Sequence, residues 1–191
     1  MSARRATGIV RRIDSLGRIV IPKEIRRTMQ IREGDSLEIY VLPEGDIVLK
    51  KYSTIDELGK YAESYANQLF KMTGNVVIIA DRERVVAVSS NAAKQDIIGK
   101  SVSAEFDRLM QKRKTYTATK ESVLYPIQNV SYKGLVCVPI ISYGDLIGSV
   151  ILVDEKGEQA TESQVKLAQF VGTLFTEQAI EWEFYKKVVK I

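Results

Sequence analysis

Histidine is absent from all 191 residues, and with it goes every chemistry that runs through an imidazole: Ser-His-Asp triads, Cys-His dyads and His-ligated zinc. A single cysteine, Cys137, allows neither an intrachain disulfide nor a C-x-x-C site, which agrees with a reducing cytoplasm. It stands between Val136 and Val138 with no basic neighbour to lower its pKa, so it reads as a buried structural thiol. The longest apolar run, Leu146 to Val153, contains Gly and Ser and is too short to span a bilayer. The first residues carry arginines with no apolar segment behind them, unlike a signal peptide. Gly99-Lys100-Ser101 suggests a phosphate loop, but the second glycine such a loop needs would fall at Lys94. Asp81, Glu83, Asp145, Asp154 and Glu155 fall in turns, where they are expected to be solvated, and no two of them pair as a catalytic dyad. Catalysis, a metal site and a membrane partner are all disfavoured.

What is present is basic charge, and it is concentrated at one end. The chain carries a net +4. Residues 1–53 hold 11 Lys+Arg against 7 Asp+Glu, and the remainder holds 17 of each. Residues 1–32 alone hold 9 basic and 2 acidic side chains. A basic module joined to a neutral domain is the charge footprint of a nucleic-acid binder.

The basic end is organised around Thr7 to Asp35. Ile9, Val10 and Ile13 bracket Arg11 and Arg12 at strand spacing. Asp14-Ser15-Leu16-Gly17 has turn chemistry, and Ile19-Val20-Ile21 resumes as an apolar strand. Pro22 stands where a helix begins, since its missing N–H has no partner there anyway. A helix is expected from about Lys23 to Met29, stopping near Gly34. Leu37, Ile39 and Val41 then alternate with polar residues as a half-buried strand, and Pro43 to Asp46 connects it to Ile47-Val48-Leu49. About 50 residues of short strands bury too little surface to be secure alone, so a two-fold dimer is expected.

The segment TGIVRRIDSLGRIVIPKEIRR, continued by EGDSLEIYVLPEGDIVLKKY, resembles the DNA-binding domain of AbrB-type bacterial transition-state regulators over residues 5–52. The turn, the proline and both arginine pairs agree without a gap. The resemblance implies two chains exchanging hairpins to form one intertwined β-barrel, with double-stranded DNA as partner. Carried across residue by residue, the DNA-binding set is Arg11 and Arg12 on the first strand, Arg18 after the turn, and Arg26 and Arg27 on the helix, joined by Arg5 and Lys23 at less fixed positions.

Residues 53–74 are expected to form a linker helix. Ser53 and Asp56 make a variant capping box, Ile55, Leu58, Ala62, Tyr65, Ala66 and Leu69 recur at helical spacing, and Gly74 ends it. From residue 75 onward, strands are expected at Val76–Ala80, Val85–Val88, Leu124–Ile127, Leu135–Ser142 and Leu146–Val153. Helices are expected at Ala104–Lys112 and after Thr161. This is an α+β pattern with an antiparallel sheet. Tyr116, Tyr125, Tyr132 and Tyr143 fit either a cavity lining or the rim of a subunit contact. Trp182, Phe184 and Tyr185 fit packing between subunits.

VCVPIISYGDLIGSVILVDE with the helix after it is similar to the end of a GAF domain, a ligand-sensing or dimerising module, over residues 75–185. The signature of cyclic-nucleotide-binding members is missing, as is a chromophore cysteine pattern, so no cofactor follows and any small-molecule ligand of residues 75–191 is unidentified. AbrB-like and GAF-like halves joined by a helix resemble a family of sporulation regulators in endospore-forming bacteria. That resemblance implies a homotetramer, dimers through residues 1–52 paired again through the second domain, acting in the cytoplasm on the nucleoid. The other function class is an antitoxin-type protein-binding repressor, which uses the same barrel but continues into a low-hydrophobicity tail rather than a second folded domain.

Overall fold

The computed structural model describes residues 7–89, 96–157 and 159–189. The chain divides between Tyr52 and Ser53 into two compact units.

In the first unit the Asp14–Gly17 turn forms as its sequence predicts. The Gly17 N–H donates to the Asp14 carbonyl at 3.0 Å, and Gly17 takes φ +74°, a conformation that glycine adopts without steric cost. The strands expected at Ile9–Ile13 and Ile19–Ile21 are not formed; neither segment joins a ladder. A single short ribbon is marginal in water, and within this unit no described residue is buried against its apolar face. Helix α1 (Lys23–Thr28) starts after Pro22 but ends well before Gly34. Gln30, at φ +53°, closes it. The Ile31 N–H reaches the Arg26 carbonyl at 2.7 Å and the Gln30 N–H the Arg27 carbonyl at 3.3 Å, a Schellman closure. Strands β1 (Leu37–Val41) and β2 (Ile47–Lys51) pair antiparallel from Leu37↔Lys51 to Val41↔Ile47. Lys51 Nζ ties this hairpin to the end of α1 through the Gln30 carbonyl at 2.7 Å and Asp35 at 3.0 Å.

The second unit is built on one antiparallel sheet of β3 (Val77–Asp81), β4 (Val85–Val88), β5 (Tyr116–Thr117), β6 (Lys133–Ser142) and β7 (Asp145–Asp154), in the order β4-β3-β7-β6-β5. Alternation divides its side chains. Val77, Ile79, Val150 and Leu152 face a layer that holds Ile55, Ala62, Leu69, Ala168 and Phe175. Ile78, Ala80, Ile151 and Cys137 face Phe106 and Met110. A sheet covered on both faces needs apolar residues at every position, which is why Val76 to Ala80 is unbroken. The β6–β7 hairpin turns on Tyr143 and Gly144, both at positive φ (+49° and +85°), as a two-residue primed turn requires. Leu124–Ile127 is not the expected strand: Ile127 makes only an isolated bridge to Val102, and Pro126 has no N–H to give a ladder.

The helix expected over residues 53–74 is interrupted at Leu58, giving α2 (Thr54–Glu57) and α3 (Gly59–Thr73). The Ser53 hydroxyl accepts the Asp56 N–H at 3.2 Å, and left-handed Gly74 closes the C-terminus. Ile55, Leu58, Ala62, Ala66 and Leu69 are buried in the core of this second unit. Helix α4 (Ala104–Met110) stops before Lys112, followed by left-handed Arg113. The long helix α5 (Glu162–Val189) is capped by Thr161, whose hydroxyl accepts the Gln164 N–H. One turn residue departs from expectation. Asp81 is only 7% exposed rather than solvated, because the β3–β4 turn folds its own backbone N–H groups around the carboxylate.

Candidate nucleic-acid interface

Every described member of the predicted DNA-binding set is exposed. Arg11 and Arg12 precede the Asp14 turn, and Arg18 follows it. Asp14 Oδ1 accepts the backbone N–H of Leu16 at 2.9 Å and of Arg18 at 2.8 Å, while Arg18 Nε reaches Asp14 Oδ2 at 2.8 Å. The Arg18 backbone N–H first, and then its guanidinium, hold the Asp14 carboxyl below its ordinary range. The turn thus aims Arg18 with one fork edge occupied and the rest open to solvent. Lys23 opens α1, and Arg26 and Arg27 stand in its last turn, where cations favour the negative end of the helix. Among the described residues no carboxylate pairs with Arg11, Arg12, Lys23, Arg26 or Arg27. Arg5 lies outside the described residues.

Many apolar side chains of this unit are exposed beside its cations, and the others, such as Ile21, Ile25 and Leu37, are only half-buried. Val10 is 87% exposed, Val20 74% and Val41 74%. Among the described residues of 7–52 none is buried. The half-buried strand expected at Leu37–Val41 is therefore open on the very face that its alternation marks as apolar.

Residues 57–179 match the family described as stage V sporulation protein T C-terminal, transcription factor. Stage V sporulation protein T of Bacillus subtilis (strain 168) is 45% identical to this chain over 150 residues, 78% of this chain and 84% of that protein. The chain belongs to the stage V sporulation protein T family. It is a transcription regulator, as that family is described, and not an enzyme. The transition state regulatory protein AbrB of the same organism is 62% identical over 48 residues, 25% of this chain and 49% of that protein. Residues 10–56 also match the family described as antidote-toxin recognition MazE, bacterial antitoxin. The GAF domain of an Acinetobacter phosphoenolpyruvate-protein phosphotransferase superposes with a TM-score of 0.54 at 12% identity, covering 68% of this chain and 84% of that one. The fold is the expected α+β pairing of an AbrB-like unit with a GAF-like domain.

Within the GAF-like domain of this family member, Phe106, Met110 and Ser149 line a cavity of only about 10 Å³ together with Asp81, room for a single water. The four tyrosines do not converge. Tyr116 and Tyr132 pack against the core beside α4, whereas Tyr125 and Tyr143 are exposed. Cys137 is fully buried, and burial pushes its thiol far above the ordinary range, as a structural role requires. Trp182 packs on the core and stacks on Tyr185, while Phe184 is 68% exposed. No described helix is long and apolar enough to cross a membrane. The contrast between exposed Phe184 and docked Trp182 was hidden in the sequence, since both are aromatic side chains two residues apart and only the packing of α5 separates their faces.

Proposed function

We propose that this regulator binds double-stranded DNA through Arg11, Arg12, Arg18, Lys23, Arg26 and Arg27, with Arg5 joining the set, on a first unit that a second copy completes. The observation that carries the reading is the coincidence in residues 7–52 of exposed cations, five of them (Arg11, Arg12, Lys23, Arg26 and Arg27) with no carboxylate partner among the described residues, with an apolar surface of which no described residue is buried. An intertwined dimer would cover the valines and isoleucines and leave the arginines outside. The contacts would fall mostly on phosphates, with modest base readout and a preference for DNA shape and flexibility. Guanidinium forks suit both phosphate oxygens and the acceptor edge of guanine.

The GAF-like domain sets the oligomeric state in this reading. Helix α5 is apolar on two opposite faces. Ala168, Val171, Phe175 and Ala179 are docked, while Phe170, Ile180 and Phe184 form an exposed stripe. Residues 53–74 join the two parts, and pairing of the stripes turns dimers into tetramers. By its relatives' names the setting is sporulation, on the nucleoid. A small-molecule ligand seated between Asp81, Phe106, Met110 and Ser149 would have to enlarge the cavity there.

The test is the affinity of the full-length protein for an AT-rich duplex, titrated across salt. A steep fall in affinity with salt is expected. Arg18→Ala combined with Arg26→Ala should weaken binding and make that fall shallower by roughly 2 in the log–log slope. Unchanged affinity in a folded double variant would remove these arginines from the interface. The antitoxin match over residues 10–56 supports a second reading, a protein-binding repressor. It would require a small toxin to co-purify, and a folded second unit from Ser53 onward stands where such a repressor keeps a disordered segment.

A further inference from the structure

The second unit carries no net charge, yet its charge is not evenly spread. Residues 108–133 hold six basic side chains, Arg108, Lys112, Arg113, Lys114, Lys120 and Lys133, against one acidic, Glu121. All six are exposed. Among the described residues none of the six pairs with a carboxylate. Such a cluster raises the local potential and attracts polyanions even on a neutral domain.

The fold arranges these charges along one line. β5 is the edge strand of the sheet, paired only with β6 through Tyr116↔Cys137 and Thr117↔Val136. Lys112, Arg113 and Lys114 precede it, and Lys120 follows. Lys133, at the start of β6, stands beside the end of β5 where Lys120 lies. At strand rise, Lys114 to Lys120 spans at most about 20 Å, the length of about six phosphates on one DNA strand. Both ends of the line are fixed. The Lys112 N–H bonds the Leu109 carbonyl at 3.1 Å and the Arg113 N–H the Met110 carbonyl at 2.8 Å. Gln169 of α5 donates to the Thr115 hydroxyl at 3.2 Å. At the other end, Thr119, Lys120, Ser122, Lys133, Gly134 and Asp154 line a groove of about 150 Å³. Asp154 Oδ1 accepts there the backbone N–H groups of Lys156 and Gly157, and with Lys120 and Lys133 set against this one carboxylate the charge of the lining is positive.

We propose that this basic sheet edge is a second phosphate-contacting surface, through which the GAF-like domain holds the backbone of the duplex that the first unit binds. It rests on the DNA-binding reading above. The contact carries no base readout. It adds counterion release, and so raises affinity and salt sensitivity together.

The experiment uses full-length protein and an AT-rich duplex long enough to extend past the first unit. The slope of log affinity against log salt is compared between wild type and a variant carrying Lys112→Gln, Arg113→Gln, Lys114→Gln, Lys120→Gln and Lys133→Gln. Circular dichroism and light scattering follow its fold and assembly. The expected result is a slope shallower by about 2 to 4, at about 0.9 per lost phosphate contact, with unchanged oligomeric state and recovery when the four lysines are replaced by Arg instead. Steep wild-type binding with an unchanged variant slope overturns the proposal while leaving the DNA-binding reading intact. A shift in oligomeric state also overturns it, because the edge would then be meeting the acidic Glu177, Glu181 and Glu183 of another copy's α5. Absence of wild-type binding overturns both.

Discussion

Asp81 shows how much one side chain can hold at the start of a domain. Its Oδ1 accepts the N–H of Glu83 at 2.7 Å and of Arg84 at 2.8 Å. The Ser53 hydroxyl also bonds the carboxylate. Arg84 Nη2 meets Asp56 at 2.8 Å, so the cap of α2 and the β3–β4 turn share one network. Burial raises the Asp81 pKa, and the Arg84 N–H, the Ser53 hydroxyl and the Arg84 charge oppose that, with Asp56 adding to the rise. For an acid whose folded pKa lies above its ordinary 3.8, the stabilising contribution is complete below that value and is lost as pH rises through the folded value. Asp14, held low, has the opposite sign: its contribution is present above 3.8 and is lost as pH falls through its depressed folded value. Asp81→Asn should therefore compare more favourably with wild type at neutral pH than near pH 3.5, read as the difference in urea midpoints. Asp81→Ala, which strands two N–H groups, should cost about 1–3 kcal/mol. A variant difference that does not move with pH would exclude the raised pKa. The Ser53 cap and the Gly17 turn were legible because their partners are neighbours in sequence. The burial of Asp81 was not legible, because beyond its own turn it depends on Ser53 at the cap of α2 and on Gly148 paired beside it in β7.

Elements meet closely where glycines remove a side chain. A Cβ on Gly148 of β7 would lie 2.5 Å from the Ala80 carbonyl oxygen and 2.9 Å from Ile55 Cγ1. That leaves no room unless the strand or α2 moves. A Cβ on Gly172 of α5 would meet Val138 Cγ1 at 3.1 Å and the Pro139 carbonyl oxygen at an ordinary 4.0 Å; the close neighbour is a side chain that can give, and alanine improves helix propensity by about 1 kcal/mol. Gly148→Ala is expected to destabilise by about 1–3 kcal/mol, and Gly172→Ala by less. Urea unfolding of the two variants ranks them, and the reverse order would mean that α5 is the less yielding layer. In the sequence Val165, Ala168, Val171, Leu174, Phe175 and Trp182 recur at helical spacing on one face of α5, the face that docks. Its second face was obscured because Thr173 and Glu177 interleave with Phe170, Ile180 and Phe184.

At the scale of the molecule the two units differ in self-sufficiency. The second has buried layers on both sides of its sheet, whereas the first has no buried residue among those described. Stability of the first unit should therefore rise with protein concentration, seen as a melting temperature that climbs on dilution series read from dilute to concentrated, while melting of the second unit moves less. Phe170→Glu combined with Phe184→Glu should reduce the assembly to dimers by light scattering while preserving DNA binding; an unchanged mass would place the tetramer contact elsewhere. The strands at Ile9–Ile13 and Ile19–Ile21 were legible as pattern, since alternation records the partner a segment is built for. Their ladders are missing among the described residues, and in the proposed dimer a second copy would supply them.

The coreless first unit also has a temporal consequence. It is made before the second unit, yet none of its described residues is buried, while the later-made second unit can condense at once. In the proposed dimer, maturation runs from the C-terminal half toward the N-terminal half, and competence for DNA arrives only when two chains meet. Activity would then scale more steeply than copy number, so that a small rise in expression crosses a threshold that a monomeric reader of DNA would pass gradually.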